Sequence, residues 1–229
     1  PSGNVNMNNT AVGYHALRLN TTGGDNTAVG ESALAANTTA SNNVAFGNDS
    51  LAANTTGELN TGLGKNASAG NTTGSNNVSV GTNALFANTT GGANTAVGKD
   101  SLKLNTTASN NTAVGYQSQE STTTGTNNTS TGLHALRVNT TGFENTSMGS
   151  ASLDANTTGS YNTSMGSQNM GANTTGSQNS AFGGYALDAN TTGSFNTAVG
   201  QHSLGANTTA SENTAVGTNS LKLNTTGTE

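Results

Sequence analysis

The sequence predicts an all-β fold, a parallel β-solenoid (β-roll) of about 13 coils with 17 residues each. An asparagine recurs at every 17th position from Asn9 to Asn213, and a glycine follows each of them four residues later. A second block, Asn-Thr-Thr, recurs with the same step from Asn20 to Asn224 and loses its asparagine only at Thr122. No unit gains or loses a residue. A fixed short period of this kind indicates units that bury their apolar faces against their neighbours.

The columns of the repeat, numbered from its leading asparagine, indicate which residues face inwards. Column 4 is apolar in 12 of the 13 units, column 9 is Leu or Met in 11, and columns 3 and 8 are almost always Ala or Ser. Seventeen residues cannot hold a pair of helices with their turns, whereas alternating columns are typical of strands. We therefore expect two short strands per coil, with the side chains of columns 4 and 9 and one small residue forming a thin core.

The leading asparagines and the column 5 glycines are predicted to close the coil. Stacked identical asparagines can hydrogen-bond from coil to coil as a ladder, and an invariant glycine suits a corner with positive φ or crowded backbones. The predicted structural ladder consists of Asn9, Asn26, Asn43, Asn60, Asn77, Asn94, Asn111, Asn128, Asn145, Asn162, Asn179, Asn196 and Asn213.

The Asn-Thr-Thr block has two interpretations. It satisfies the N-glycosylation sequon in 12 of 13 units. Sugars spaced by about 4.8 Å would crowd severely, so we favour a second turn ladder. The Thr columns 13 and 14 would form rows along one edge, with one of the two exposed because neighbouring residues of a strand face opposite sides.

We divide the chain into an irregular lead-in over residues 1–8 and a single array over 9–229. One coil of the array is weak, near 116–131. The leucine and asparagine columns fail there together, at Gln119 and Thr122, and Thr131 replaces the apolar residue of column 4. We predict a local loosening or a bend at this coil.

Composition and charge exclude several classes of function. The net charge is −5, and six basic residues scattered over the units cannot form a stripe that follows a phosphate backbone. No apolar run approaches the length of about 18 residues that a membrane-spanning helix needs. We therefore expect neither nucleic-acid binding nor a membrane span.

The sequence predicts no enzyme, no cofactor and no catalytic or metal-binding residues. His15, His134 and His202 all occupy column 7, but they lie seven and four coils apart. At the strand spacing these separations are about 34 and 19 Å, too far for a shared metal ion.

Two features are candidates for surface contacts. Phe143, Tyr161 and Phe195 occupy columns 16 and 17 of nearby coils, where they could stack on a carbohydrate or be buried between chains. The small residues of columns 3 and 8 permit either the close approach of another surface or a tight interior corner.

The segment Asn26-Thr-Ala-Val-Gly-x-x-Ala-Leu34 resembles the Ser-Val-Ala-Ile-Gly-x-x-Ala pattern of trimeric autotransporter adhesin heads. The whole unit, with its Asn-Thr-Thr-Gly turn, is similar to repeats of bacteriophage tail-fibre proteins. This resemblance covers residues 9–229 and implies a left-handed coil and a trimer. The period is longer here than in the adhesin heads, and the additional residues lie in the turn.

The sequence predicts a structural and adhesive fibre segment that presents repeated surface contacts. We expect it to be extracellular, on a cell surface or on a virion, and to form a homo-oligomer, either a trimer or a head-to-tail filament. Its receptor would be a cell-surface carbohydrate or protein. The alternatives are an ice-binding solenoid that uses its Thr rows and a self-assembling extracellular filament.

Overall fold

The computed structural model describes residues 7–227, so most of the expected lead-in over 1–8 lies outside the described residues. The chain divides into two compact units, residues 1–110 and 111–229. Both are all-β, parallel β-solenoids, and no helix occurs in the described part of either.

Each coil contributes one three-residue strand over columns 2–4. In residues 1–110 the strands are β1 (Thr10–Val12), β2 (Thr27–Val29), β3 (Val44–Phe46), β4 (Thr61–Leu63), β5 (Val78–Val80) and β6 (Thr95–Val97). In residues 111–229 they are β7 (Thr112–Val114), β8 (Thr129–Thr131), β9 (Thr146–Met148), β10 (Thr163–Met165), β11 (Ser180–Phe182), β12 (Thr197–Val199) and β13 (Thr214–Val216). Within each unit consecutive strands pair in parallel and in register, as in the pairing of Thr10 with Thr27. The repeat thus maps column onto column.

The predicted second strand of the coil is absent from the described residues. Columns 7–11 instead form consecutive turns in which columns 7 and 9 have left-handed backbone, as at Ser32 (φ 56°) and Leu34 (φ 50°). The amide of Leu34 donates to the Ser50 carbonyl of the next coil (3.1 Å), whereas the amide of Ala35 donates back to Ser32 (3.2 Å). A period of two in the sequence fits this alternation as well as it fits a strand, so the pattern alone could not distinguish them.

Two asparagine columns line the interior and converge on one carbonyl. The side-chain amides of Asn26 (column 1) and Asn37 (column 12) donate to the carbonyl of Ala40 (column 15), at 2.9 and 3.0 Å. Asn37 also donates to the Oδ1 atom of Asn20 in the previous coil (2.8 Å). The backbone amide of Asn26 donates to the Oδ1 atom of Asn9 (2.8 Å). The predicted ladder therefore exists, and it is paired with a second ladder in column 12.

The prediction for the core was right for column 9 and wrong for column 4. The column 9 leucines are buried except Leu17 and Leu221 of the first and last coils. The column 4 side chains face outwards: Val12 is 58% exposed and Phe46 is 54% exposed. The inward side chain of the strand is the small residue of column 3. At Gly62 an added Cβ would lie 2.5 Å from the Ser50 Oγ and 3.3 Å from the Leu51 Cγ. The coil is therefore too narrow to take a Val-type side chain inside.

Columns 3 and 8 form a tight interior corner. Of the two interpretations of their small residues, the structure therefore supports the interior corner and not the approach of another surface. Ala28 and Ala33 are fully buried. Where a column 8 serine meets a column 3 serine of the next coil, the hydroxyls bond to each other, as in Ser152 to Ser164 (2.7 Å). Surfaces of other molecules cannot approach these columns.

The column 5 glycine is required both by its backbone and by its neighbour. At Gly200 φ is 126°, and an added Cβ would lie 2.6 Å from the carbonyl oxygen of Gly217 in the next coil. The positive φ and the crowded neighbouring backbone that the sequence predicted for this glycine are therefore both present.

The coil with the irregular columns keeps its backbone pairing. Gln119 replaces the buried leucine, and its Nε2 atom donates to the Thr112 carbonyl and the Ser130 Oγ, both at 2.9 Å. The Gln119 Oε1 and Thr122 Oγ1 atoms are buried without a hydrogen-bond partner in the described structure. A buried unpaired oxygen costs stability, and lower stability of this coil stays a prediction.

Replacing one asparagine of column 12 should destabilise the array. The Asn156 amide donates to the Asn139 Oδ1 (2.9 Å) and the Gly159 carbonyl (3.0 Å), and its Oδ1 accepts from Asn173 (3.0 Å). We expect Asn156→Ala to lower the free energy of unfolding by about 1–3 kcal/mol, because buried partners lose their bonds. Urea unfolding followed by circular dichroism would measure this.

The matched control for this variant is Thr158→Ala, which changes an exposed threonine of the same turn and should alter stability by less than about 0.5 kcal/mol. Equal unfolding midpoints for Asn156→Ala and Thr158→Ala would show that the ladder does not stabilise the coil.

Candidate contact surfaces

Charge is confined to five columns of the coil. All 17 charged residues of the sequence lie in columns 6, 7, 10, 16 and 17. Columns 2 and 4, which point outwards from the strands, contain only Thr, Val, Ser, Phe, Leu and Met. We call these two columns the sheet face. Its lack of charge distinguishes it from the columns around the turns.

The sheet face presents an apolar row beside a threonine row. Column 2 is Thr in 10 of 13 coils, and most side chains of column 4 are exposed or half-buried Val, Phe, Leu or Met. In residues 1–110 the apolar row consists of Val12, Val29, Phe46, Leu63, Val80 and Val97. In residues 111–229 the row consists of Val114, Met148, Met165, Phe182, Val199 and Val216, interrupted by Thr131. This surface is not apparent from the sequence, because apolar residues in column 4 predict a core position.

The Thr-Thr columns differ in exposure, as expected. Column 13 is half-buried in most coils, and its hydroxyl donates to the carbonyl of the next coil, as from Thr55 to Thr72 (3.0 Å). Column 14 is exposed in every coil, for example at Thr56 and Thr73. One row of free threonine side chains therefore remains on this edge.

The sequon asparagines are occupied by the fold. Asn54 and Asn71 are fully buried, and the Asn71 amide donates to the Asn54 Oδ1 (2.8 Å) and the Gly74 carbonyl (2.9 Å). A glycan would replace one of the two hydrogens on this nitrogen and so remove one of these buried bonds. The structure therefore supports the turn-ladder interpretation of the Asn-Thr-Thr block.

The three aromatic candidates are exposed, and two of them touch. The Phe143 and Tyr161 rings meet edge to face with centroids 5.0 Å apart. Phe195 lies in the same column as Tyr161, two coils further on, and no ring contact is found for it within residues 7–227. The exposed fractions of Phe143, Tyr161 and Phe195 are 38%, 49% and 55%. They form a pair and a separate ring, not one patch.

Columns 7 and 10 bring together side chains that are far apart in the sequence. Arg137 forms a two-point ion pair with Asp154 of the next coil, with Nε to Oδ1 at 2.8 Å. The hydrogen bond that Arg137 donates to the Asp154 carboxylate raises the pKa of Arg137. The histidines of column 7 meet tyrosines: Tyr185 stacks on His202, with ring centroids 5.1 Å apart and planes at 16°.

A cavity of about 200 Å³ lies beside this last ring pair, lined by Tyr185, Asp188, His202, Gly205, Ala206, Lys222 and Leu223. The pKa of Asp188 is raised, because burial raises it by more than the nearby His202 lowers it. This cavity was not anticipated from the sequence, because its residues come from three successive coils.

Within residues 7–227 no three His, Asp or Glu side chains come close enough to hold a metal ion. A search of the same residues finds no helix of the length and hydropathy that crossing a membrane requires. Comparisons with protein-family models, curated proteins and solved structures found no match for this chain. The surfaces described above are therefore the basis for any functional proposal.

Replacing Phe195 by asparagine should stabilise the protein. Phe195 has a left-handed backbone (φ 60°) and an exposed ring. Asparagine tolerates this conformation much better than phenylalanine does, and Asn42 and Asn76 occupy the same column with φ 61°. We expect Phe195→Asn to raise the free energy of unfolding by up to about 1 kcal/mol, measured by thermal unfolding.

Tyr161→Asn is the matched control. Tyr161 has φ 59°, but its ring packs against Phe143, so the gain in backbone energy is offset by lost ring contact. A lower melting temperature for Phe195→Asn than for the unchanged protein would contradict the prediction, and it would indicate that this ring is buried in an assembly.

Proposed function

We propose that this protein is a structural and adhesive fibre segment that associates with copies of itself through the sheet face. The observation that carries the proposal is the uncharged apolar row of column 4, which is repeated on the coils and exposed to solvent. Contiguous exposed apolar surface rimmed by polar residues is typical of interaction sites. The resemblance to adhesin heads and tail fibres supports the same role, and with it an extracellular location and a trimer.

The regular spacing of the sheet face favours a second copy of the chain as its partner. The row repeats once per coil, about every 4.8 Å, so only a surface with the same spacing can match it at each coil. A stable contact needs about 800 Å² per partner, and a row one strand wide reaches that area only when many coils contact in register. The absence of insertions in the repeat keeps that register.

Charges placed on the sheet face should dissociate the oligomer. Val80→Lys combined with Val199→Lys introduces one lysine into column 4 of each unit. Like charges brought together in an apolar interface cost several kcal/mol, so association should weaken by about a hundredfold or more. Sedimentation velocity of the full chain would measure the shift from oligomer to monomer.

The control pair is Thr82→Lys with Gln201→Lys, which adds the same charge two residues further along the same coils, in column 6, where Lys65 and Lys99 already occur. This variant should remain oligomeric. A monomeric unchanged protein, or an oligomer that survives lysines in column 4, would refute association through the sheet face. Filaments in electron micrographs would favour head-to-tail assembly over a trimer.

Ice binding is the second candidate, because the exposed threonines of column 14 recur on every coil without exception. The half-buried column 13 uses its hydroxyls within the fold, so the row is single. The uneven Phe and Met side chains of column 4 make the sheet face less flat than the column 14 row.

Thermal hysteresis measured on the purified chain distinguishes this candidate. If the column 14 row binds ice, the protein shows hysteresis and shapes ice crystals, and Thr90→Lys with Thr192→Lys reduces both effects. The lysines of the column 6 control pair should leave the hysteresis unchanged. A freezing point equal to the melting point in the unchanged protein would exclude ice binding.

A further inference from the structure

The cavity beside Tyr185 lies where column 10 carries a glycine, Gly205, between two coils with charged residues in that column. Asp188 and Lys222 occupy this column one coil before and one coil after Gly205. Where two successive coils carry long side chains of opposite charge in this column, they can pair directly, as Arg137 pairs with Asp154. At Gly205 the space between the carboxylate-bearing and amine-bearing coils is open, and it forms the cavity of about 200 Å³.

One wall of the cavity is aromatic. Tyr185 and His202 occupy column 7 of successive coils, and their rings stack with planes only 16° apart. Tyr185 holds a left-handed backbone, with φ 59°. Every coil has this conformation in column 7, so the ring of Tyr185 and not its backbone distinguishes this position. Asn66 and Asn83 show that the same column accepts asparagine with φ 57° and 55°.

The polar groups of the cavity are one carboxyl and one amine. The Asp188 carboxyl is half-buried, and within residues 7–227 it makes no hydrogen bond or ion pair. An added Cβ at Gly171 would lie 3.1 Å from the Asp188 Oδ1, so a glycine on this side also makes room for the carboxyl. Asp188 offers acceptor oxygens and Lys222 offers donors, which leaves the cavity close to electrically neutral.

We propose that this cavity is a binding site for a single neutral sugar ring of the pyranose type. The apolar C–H face of a pyranose packs on an aromatic ring, whose face carries partial negative charge. The hydroxyl groups of the sugar can donate to Asp188 and accept from Lys222. The volume admits about one such ring and is smaller than a site for a drug-sized ligand.

An amino-acid zwitterion would also match one carboxylate and one amine, but it would not use the stacked Tyr185 and His202 rings. The extent of this aromatic wall favours the sugar. The inference names a carbohydrate receptor for the adhesive segment and rests on the proposed function for its biological meaning. The test measures sugar binding and not self-association. A chain that is monomeric but binds sugar would therefore refute the proposed fibre and support the proposed sugar site.

The test is a titration of the full chain with free glucose, galactose, mannose and N-acetylglucosamine. Binding is monitored by NMR, through the chemical shifts of the tyrosine and histidine ring protons. We expect at least one sugar to saturate the site with a dissociation constant on the order of 1 mM, as for a ligand of this size. Tyr185→Asn, which removes the aromatic wall and keeps a residue suited to the left-handed backbone, should weaken binding tenfold or more.

Gly205→Arg should abolish binding, because the new side chain fills the cavity and pairs with Asp188. Arg18 and Arg137 already occupy this column, so the coil accepts the residue. The control is Ala52→Arg, which places the same side chain in the same column far along the chain and should leave binding unchanged.

Circular dichroism and thermal unfolding establish that each variant is folded before it is titrated. The inference is overturned if none of the four sugars saturates the site, if Gly205→Arg is folded and still binds, or if free alanine shifts the ring signals and no sugar does so.

Discussion

In most coils of the repeat, the carbonyl of column 15 accepts hydrogen bonds from two asparagine side chains, one in column 1 and one in column 12. In the second coil the asparagines are Asn26 and Asn37 and the carbonyl belongs to Ala40. The same asparagines bond to the coil before, so closing one coil and stacking two coils use the same amides. Leaving such buried groups unpaired is costly. A slip of register by one residue would break both sets of bonds, which explains why no unit tolerates an insertion.

A polar interior has a consequence for the surface. In most coils two asparagines, two small residues and one leucine fill the inside, and no room remains for the apolar side chain of column 4. That side chain is therefore exposed to water, at a cost that association can recover by burying the row. The interior ladder and the proposed self-association thus have one origin, the narrowness of a coil of 17 residues.

Some columns of the repeat stabilise the fold, and others vary in residue type from coil to coil. Columns 7 and 17 take left-handed backbone, which asparagine accepts readily, yet in a few coils they carry Tyr185, Tyr161 and Phe195. Because the column 5 glycine and the column 1 asparagine already define the turn, these positions can change without altering the coil. The cavity at Gly205 arises in this way, from substitutions in columns 7 and 10 of neighbouring coils.

The sequence alone determined the period, the parallel stacking, the glycine corner and the asparagine ladder, because each depends on identical residues meeting at a fixed interval. It correctly placed the leucines of column 9 inside and left one threonine row exposed. The tertiary structure decided which face of the strand points inwards, because the alternation in the sequence indicates only that columns 2 and 4 lie on the same side. It also replaced the second strand by turns, because alternating left-handed residues give the same pattern of side chains. The sheet face and the sugar-sized cavity depend on how wide a coil is and on which side chains of successive coils meet, and only the folded chain fixes these distances.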